Sequence, residues 1–214
     1  MRYQAVLIIL LVVGSNGLGQ RVSTANSQSD AKESDFPTIP KAVRETTFRT
    51  VDGKPFRLSD FSNKVMVINI WATWCGPCHL EMPRLSQMYK EYKSRGVVIL
   101  GLATTYNESN DAKHVKNYLR KLKIKYKSIW DDGTLAVSLV ESVHGRAVIP
   151  QTFVIAKDGR VVKHFMGFNS TITPKLEREA IEQALKSSPK PPVRASKSLD
   201  AGVKSSPARY RRWY

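Results

Sequence analysis

Residues 65–78 read Val-Met-Val-Ile-Asn-Ile-Trp-Ala-Thr-Trp-Cys-Gly-Pro-Cys, and this stretch decides the fold. Its first half, Val65–Trp71, is almost continuously apolar, which predicts a central β-strand that is buried on both faces. Its second half places Cys75 and Cys78 three positions apart, directly after the strand and at the start of a predicted helix. Residues three apart share one face of a helix, so the two sulfurs can form a disulfide within a single turn.

The start of the predicted helix favours a reactive Cys75. Unpaired backbone N–H groups and the helix macrodipole stabilise a thiolate at a helix N-terminus, and only the thiolate attacks a disulfide. Cys78 lies one turn further along and is the predicted resolving thiol, while Gly76 and Pro77 permit a tight turn into the helix. A purely structural disulfide is the alternative, but so small a ring removes little entropy from the unfolded chain. The pattern therefore favours a redox-active dithiol.

Between residues 43 and 186, segments typical of strands alternate with segments typical of helices. A hairpin is predicted around Asp52–Lys54, and a strand pair followed by a helix over Thr173–Lys186 closes the domain. This order predicts an α/β fold in which a central mixed sheet is flanked by helices and extended by an N-terminal β-hairpin. Ile149–Pro150 precedes one strand, and a cis bond there would expose the Ile149 backbone to an extended substrate.

Together these motifs resemble those of the thioredoxin superfamily, in particular its TlpA/ResA-like exported thiol-disulfide oxidoreductases. The resemblance covers residues 43–186 and rests on these motifs: Asp52-Gly53-Lys54, Leu58-Ser59-Asp60-Phe61, Lys64 through Cys78, Glu81-Met82-Pro83, Ile149 through Phe153, Asp158-Gly159 and Gly167. It implies a thioredoxin-like fold with Cys75 as nucleophile, Cys78 as resolving thiol and Pro150 as a cis-proline. The substrate-binding residues that it implies surround the dithiol and this proline: Trp74, Gly76, Pro77, Ile149 and Pro150.

The resemblance implies an enzyme that exchanges its Cys75–Cys78 dithiol with the disulfides of protein substrates. It implies no cofactor beyond the redox-active disulfide. Two roles stay open, namely keeping apocytochrome thiols reduced during cytochrome c maturation and reducing a wider set of disulfides. Both would take electrons from a membrane partner. The Gly-Pro dipeptide between the cysteines, which reducing thioredoxins share, favours a reductase.

The group that removes the proton from Cys78 is less evident. Cytosolic thioredoxins carry a buried Asp where this chain has Asn69, and an amide does not accept a proton. Glu81 lies three residues beyond Cys78, on a neighbouring helical face, and is the candidate proton relay. The alternative is that Glu81 is a partly exposed carboxylate without a role in the reaction.

Cys75–His79 also matches the C-x-x-C-H pattern of c-type haem attachment, in which the His is an axial ligand. A haem electron carrier is therefore an alternative function, although the flanking strand and amphipathic helix leave little room for a haem pocket. His79 follows Cys75 by four residues and would either favour its thiolate or lie exposed on the helix. No metal site is predicted, because two cysteines and four scattered histidines do not form a zinc-ligand pattern (His79, His114, His144 and His164).

The N-terminal sequence predicts export to the periplasm or cell envelope. Arg2, the apolar run Ala5–Val13 and the small residues up to Gly19 are typical of a signal peptide over residues 1–19. Residues 20–42 are polar and predict a flexible linker. Outside the cytosol thiols are not kept reduced by default, so this location suits a redox-active dithiol.

The C-terminal segment, residues 187–214, predicts a basic disordered tail. It is rich in proline and serine. Its seven basic residues and one acidic residue contribute +6 to the formal net charge of +16. Its arginines alternate with aromatic residues near the end, which suits an anionic envelope surface. Nucleic acid is not an expected partner of an exported protein. A non-catalytic envelope-binding module that uses this tail is a further alternative.

Overall fold

The computed structural model describes residues 37–104 and 112–187. The predicted signal peptide, most of the predicted linker and the tail beyond Ser187 lie outside these described residues. Within them, the helices are α1 (Lys41–Glu45), α2 (Gly76–Tyr92), α3 (Ala112–Lys121), α4 (Thr134–Ser142) and α5 (Thr173–Lys186). The strands are β1 (Phe48–Thr50), β2 (Pro55–Phe56), β3 (Val65–Trp71), β4 (Val97–Thr104), β5 (Lys127–Asp131), β6 (Gln151–Ile155) and β7 (Val161–Met166). None of the described helices combines the length and the apolar character that a membrane span requires.

The strands form one mixed sheet in the order β2-β1-β5-β4-β3-β6-β7. β3 is parallel to β4 and antiparallel to β6, and every residue of β3 is buried. The β1–β2 hairpin is antiparallel and joins the sheet at β5. The predicted α/β fold, with a central mixed sheet, flanking helices and an N-terminal hairpin, is therefore confirmed.

Apolar clusters cover both faces of the sheet. On one face Ile68 of β3 belongs to a cluster with Leu139 of α4. On the other, Val67 of β3 belongs to a cluster with Leu85 of α2 and Ile181 of α5. Burying each such side chain contributes about 1.5–3 kcal/mol to stability. Because both faces are covered, β3 needs apolar residues at nearly every position, which explains the continuous apolar run.

The domain begins earlier in the chain than the sequence predicts. Thr38 forms an isolated β-bridge with Arg160, and the N–H of Ile39 donates to the carbonyl of Gly159 at 3.0 Å. The Ile39 side chain is 1% exposed. The predicted linker over residues 20–42 therefore extends too far, because Ile39 packs into the core beside the turn between β6 and β7.

Candidate active site

The two cysteines lie where β3 leads into α2. Cys75 is the N-cap residue of α2 and forms a disulfide with Cys78, their Cα atoms 5.3 Å apart. The backbone N–H of Cys78 points at the sulfur of Cys75, at a donor–acceptor distance of 3.3 Å. A donor at this sulfur, at the positive end of the helix, favours the thiolate once the disulfide is reduced. The predicted placement of both cysteines in the first turn of the helix is confirmed.

Cys75 and Cys78 differ in their access to solvent. Cys75 keeps 4% of its surface exposed, whereas Cys78 is 0% exposed. Gly76 and Pro77 are exposed beside them, and Trp74 is 44% exposed. Thiol-disulfide exchange requires direct approach of one sulfur to another. Cys75 is therefore the more accessible of the two residues.

The segment before β6 completes the surface beside the disulfide. The Ile149–Pro150 peptide bond is cis, as predicted, and Ile149 packs against the apolar cluster that contains both cysteines. Within the part of the chain that the structure describes, no backbone hydrogen bond uses the N–H or C=O of Ile149. Both groups are therefore free to pair with an extended chain.

Gln151 fixes this segment, a role that was not predicted from the sequence. Its side-chain N–H groups donate to the carbonyls of Arg146 at 2.9 Å and Val148 at 2.6 Å. Its side-chain carbonyl accepts from Nε2 of His164 at 2.7 Å. Burial lowers the pKa of His164, which favours the neutral imidazole. The role of Gln151 could have been suspected from the sequence, because it is a polar residue in a fully buried strand and directly follows Pro150.

Glu81 lies one turn beyond Cys78 and is 0% exposed, so the alternative of a partly exposed carboxylate is wrong. Its Oε2 accepts from the side-chain N–H of Asn69 at 2.8 Å, and its Oε1 accepts from the Thr152 hydroxyl at 2.9 Å. Desolvation outweighs these hydrogen bonds and raises the pKa of Glu81 to about 7. Glu81 therefore changes its protonation state near neutral pH.

A second buried carboxyl, Glu177 of α5, reaches the same place and was missed from the sequence. Its carboxyl lies within interaction range of that of Glu81, and it is 0% exposed. Desolvation and the neighbouring charge of Glu81 raise the pKa of Glu177 to about 9. The sequence feature that could have revealed Glu177 is its position on the buried face of α5, where it is the one ionisable residue. The buried residues of α5 are Thr173, Glu177, Ala180, Ile181 and Ala184.

His79 does not lie exposed on the helix, as one sequence-based expectation held. It is half-buried, its Nε2 donates to the carbonyl of Thr73 at 2.7 Å, and its ring centroid lies 5.3 Å from that of Tyr118. The two cysteine sulfurs are bonded to each other, and Nε2 of His79 is hydrogen-bonded to the Thr73 carbonyl. No feature of the site favours the haem-attachment alternative, which stays a sequence-based hypothesis.

The site also agrees with comparisons to known proteins. A model of the Redoxin family matches residues 33–185. The chain is 30% identical over 183 residues to the thiol-disulfide oxidoreductase ResA of Bacillus thuringiensis subsp. konkukian, covering 85% of this chain and 92% of that protein. It is 30% identical over 162 residues to ResA of Bacillus subtilis, covering 76% and 82%. A similar solved structure is a thiol:disulfide interchange protein of the thioredoxin family from Chlorobium tepidum TLS, with a TM-score of 0.57, 29% identity and coverage of 70% and 94%.

Proposed function

Because the chain belongs to the Redoxin family, in the TlpA/ResA-like branch of the thioredoxin superfamily, and is a thiol-disulfide oxidoreductase, we propose that it reduces disulfides in exported proteins. The observation that carries this proposal is the arrangement of the two sulfurs at the start of α2. Cys75, at the N-cap, keeps 4% exposure, and Cys78 behind it keeps none. The arrangement suits an attacking sulfur in front and a resolving sulfur behind.

The reaction that we propose has two exchange steps. The Cys75 thiolate attacks one sulfur of the substrate disulfide, and the other substrate sulfur leaves as a thiolate. Cys78 then loses its proton and attacks the sulfur of Cys75, which breaks the mixed disulfide and releases the second substrate thiolate. The substrate gains two electrons and takes up protons as its thiolates become thiols. The enzyme is left with the Cys75–Cys78 disulfide, which an electron donor must reduce.

The substrate binds, in this proposal, as an extended segment beside Ile149. The free N–H and C=O of this residue would pair with the segment as in a β-strand. Three exposed apolar side chains border the same region: Trp74 at 44% exposure, Val148 at 39% and Met166 at 48%. Met166 is registered opposite Gln151, next to the cis-proline. Such a border suits unfolded or partly folded polypeptides with apolar residues near their cysteines.

Glu81 is our proposed acceptor of the Cys78 proton. It lies one turn from Cys78 on the same helix, and its carboxylate is held by Asn69 and Thr152. Asn69 is thus a hydrogen-bond donor to the acceptor rather than the acceptor itself. A pKa of about 7 suits proton transfer at neutral pH.

Replacing Glu81 by Gln should slow disulfide reduction about 10–100-fold at pH 7, because Cys78 loses its proton acceptor. The wild-type rate should rise with pH through about 7, as Glu81 ionises and becomes able to accept a proton. The variant should lack this rise. A dithiothreitol-coupled insulin reduction assay over a pH series measures both effects. Glu179→Gln, the same chemical change at an exposed position of α5, is the control. An unchanged pH profile in Glu81→Gln would contradict the role.

The location and the physiological substrate belong to the same proposal. The signal-like sequence over residues 1–19 supports export to the periplasm or cell envelope. The TlpA/ResA-like motifs support a role in keeping apocytochrome thiols reduced for cytochrome c maturation. We further propose that a membrane thiol reductase supplies the electrons, and that the basic tail over residues 187–214 contacts anionic lipids of the envelope.

Cys78→Ser should trap substrates as mixed disulfides, because serine cannot attack the bond between Cys75 and the substrate. The variant is expressed in a bacterium that makes c-type cytochromes, and trapped proteins are separated under non-reducing conditions and identified by mass spectrometry. We expect exported proteins with paired cysteines, apocytochromes c among them. A variant with both Cys75→Ser and Cys78→Ser is the control for non-specific capture. If Cys78→Ser traps nothing beyond this control, the assigned order of attack is wrong.

A further inference from the structure

Glu177 is a buried carboxyl that the proposed reaction does not yet use. It lies on the buried stripe of α5, between Thr173 and Ile181, where an apolar side chain would pack without loss of hydration. Within residues 37–104 and 112–187, no N–H or O–H donor serves either of its oxygens. Burying an ionised carboxylate without donors is strongly unfavourable. Glu177 is therefore protonated in the folded protein at neutral pH.

The two carboxyls of the pair have opposite surroundings. Both oxygens of Glu81 accept hydrogen bonds, one from Asn69 and one from Thr152, and these donors favour its ionised form. Glu177 lacks such donors, and its nearest polar neighbour is the Glu81 carboxyl. A hydrogen bond between two carboxyls requires a proton on one of them. These surroundings put that proton on Glu177, which then donates to the Glu81 carboxylate.

The other polar groups around the pair are consistent with this assignment. The buried Tyr126 hydroxyl, from the segment before β5, lies near both carboxyls, and burial together with the charge of Glu81 raises its pKa well above the ordinary value. Tyr126 therefore stays neutral. Arg178 is the cation that acts on Glu177, and its guanidinium is engaged by Glu91 of α2 at 3.1 Å. Tyr126 is neutral and the charge of Arg178 is shared with Glu91, so neither group provides the positive charge that an ionised Glu177 would need.

We propose that Glu177 is a positioning residue whose protonated carboxyl holds Glu81 in the ionised form needed to accept the Cys78 proton. The inference rests on the proposed function of Glu81. Before transfer, Cys78 is a thiol, Glu81 a carboxylate and Glu177 a carboxylic acid. After transfer, Cys78 is a thiolate and both carboxyls are neutral. The single negative charge moves within the site, so no additional charge enters the core.

The test compares Glu177→Leu, which removes the donor, with Glu177→Gln, which keeps an N–H donor at the same place. In Glu177→Leu the pKa of Glu81 should rise, because its carboxylate loses a hydrogen bond in an unchanged dry site. Insulin reduction at pH 7 should then slow about tenfold, the effect of one pKa unit. The pH profile should move to more alkaline pH. Glu177→Gln should stay close to the wild type. Glu179→Gln, an exposed change on the same helix, is the matched control.

Carboxyl titrations by ¹³C NMR on glutamate-labelled full-length protein separate the outcomes without relying on activity. In the wild type we expect both carboxyls to titrate above their ordinary range, with Glu177 keeping its proton to a higher pH than Glu81. A Glu177 that titrates in the ordinary range near 4.5 would overturn the inference, and this measurement needs no variant. So would a Glu81 titration and pH profile that are unchanged in Glu177→Leu. If instead Glu81→Gln leaves the pH profile intact, the proposed relay itself fails.

Discussion

Cys75→Ser should lower the rate of substrate-disulfide reduction about 10³-fold or more, close to the rate without enzyme. A serine hydroxyl does not ionise at neutral pH, so the helix N-terminus has no thiolate to stabilise. Cys78 cannot take over the attack, because it is 0% exposed and lies behind the position of Cys75. The dithiothreitol-coupled insulin assay measures this loss, with wild-type protein as the reference.

Cys78→Ser is the matched variant for this experiment, since it makes the same chemical change three residues away. It should keep the first attack and release one substrate thiolate per enzyme molecule, after which the reaction stops at the mixed disulfide. Cys75→Ser should give no such burst. Multiple turnovers by Cys75→Ser near the wild-type rate would remove Cys75 from the role of nucleophile.

The parts of the fold that the sequence predicted are those with strong local patterns. Val65–Trp71 is recognisable because both of its faces are buried, and Cys75–Cys78 because strand and helix meet there. The final helix was predicted with its observed bounds, Thr173–Lys186, from Thr173-Pro174 at its start and Glu177 in its first turns. The cis-proline was predicted from its place before a strand together with the dithiol. In each case a few neighbouring residues carry the information.

The parts that were missed depend on contacts between distant segments. Ile39 is one apolar residue between two prolines, so nothing periodic marks it as part of the core. His79 turns back to the Thr73 carbonyl, whereas its place in a helical pattern suggests exposure. The pairing of Glu81 with Glu177 requires α2 and α5 to lie on the same face of the sheet. A single glutamate in an apolar stripe gives no indication of its partner.

Gly101 shows a further constraint that no local pattern reveals. It lies in the middle of β4, registered between Asn69 of β3 and Ser128 of β5. A Cβ at this position would lie 2.9 Å from the Ser128 hydroxyl and from Nε1 of Trp71, and 3.0 Å from the ring of Tyr126. Trp71 is 0% exposed and packs in the same cluster as both cysteines, so any shift of its ring must displace neighbouring core side chains. Only glycine fits between these three side chains.

Gly101→Ala should therefore lower the free energy of unfolding by about 2–3 kcal/mol, because overpacking outweighs the smaller gain from a stiffer unfolded chain. Denaturant unfolding of the oxidised protein measures this as a lower midpoint at unchanged slope. Gly76→Ala is the matched control, since a Cβ there meets no atom within 4 Å. Its unfolding free energy should stay within about 0.5 kcal/mol of the wild type. Equal midpoints for the two variants would mean that the sheet relaxes around residue 101 and that Trp71 is not held in place.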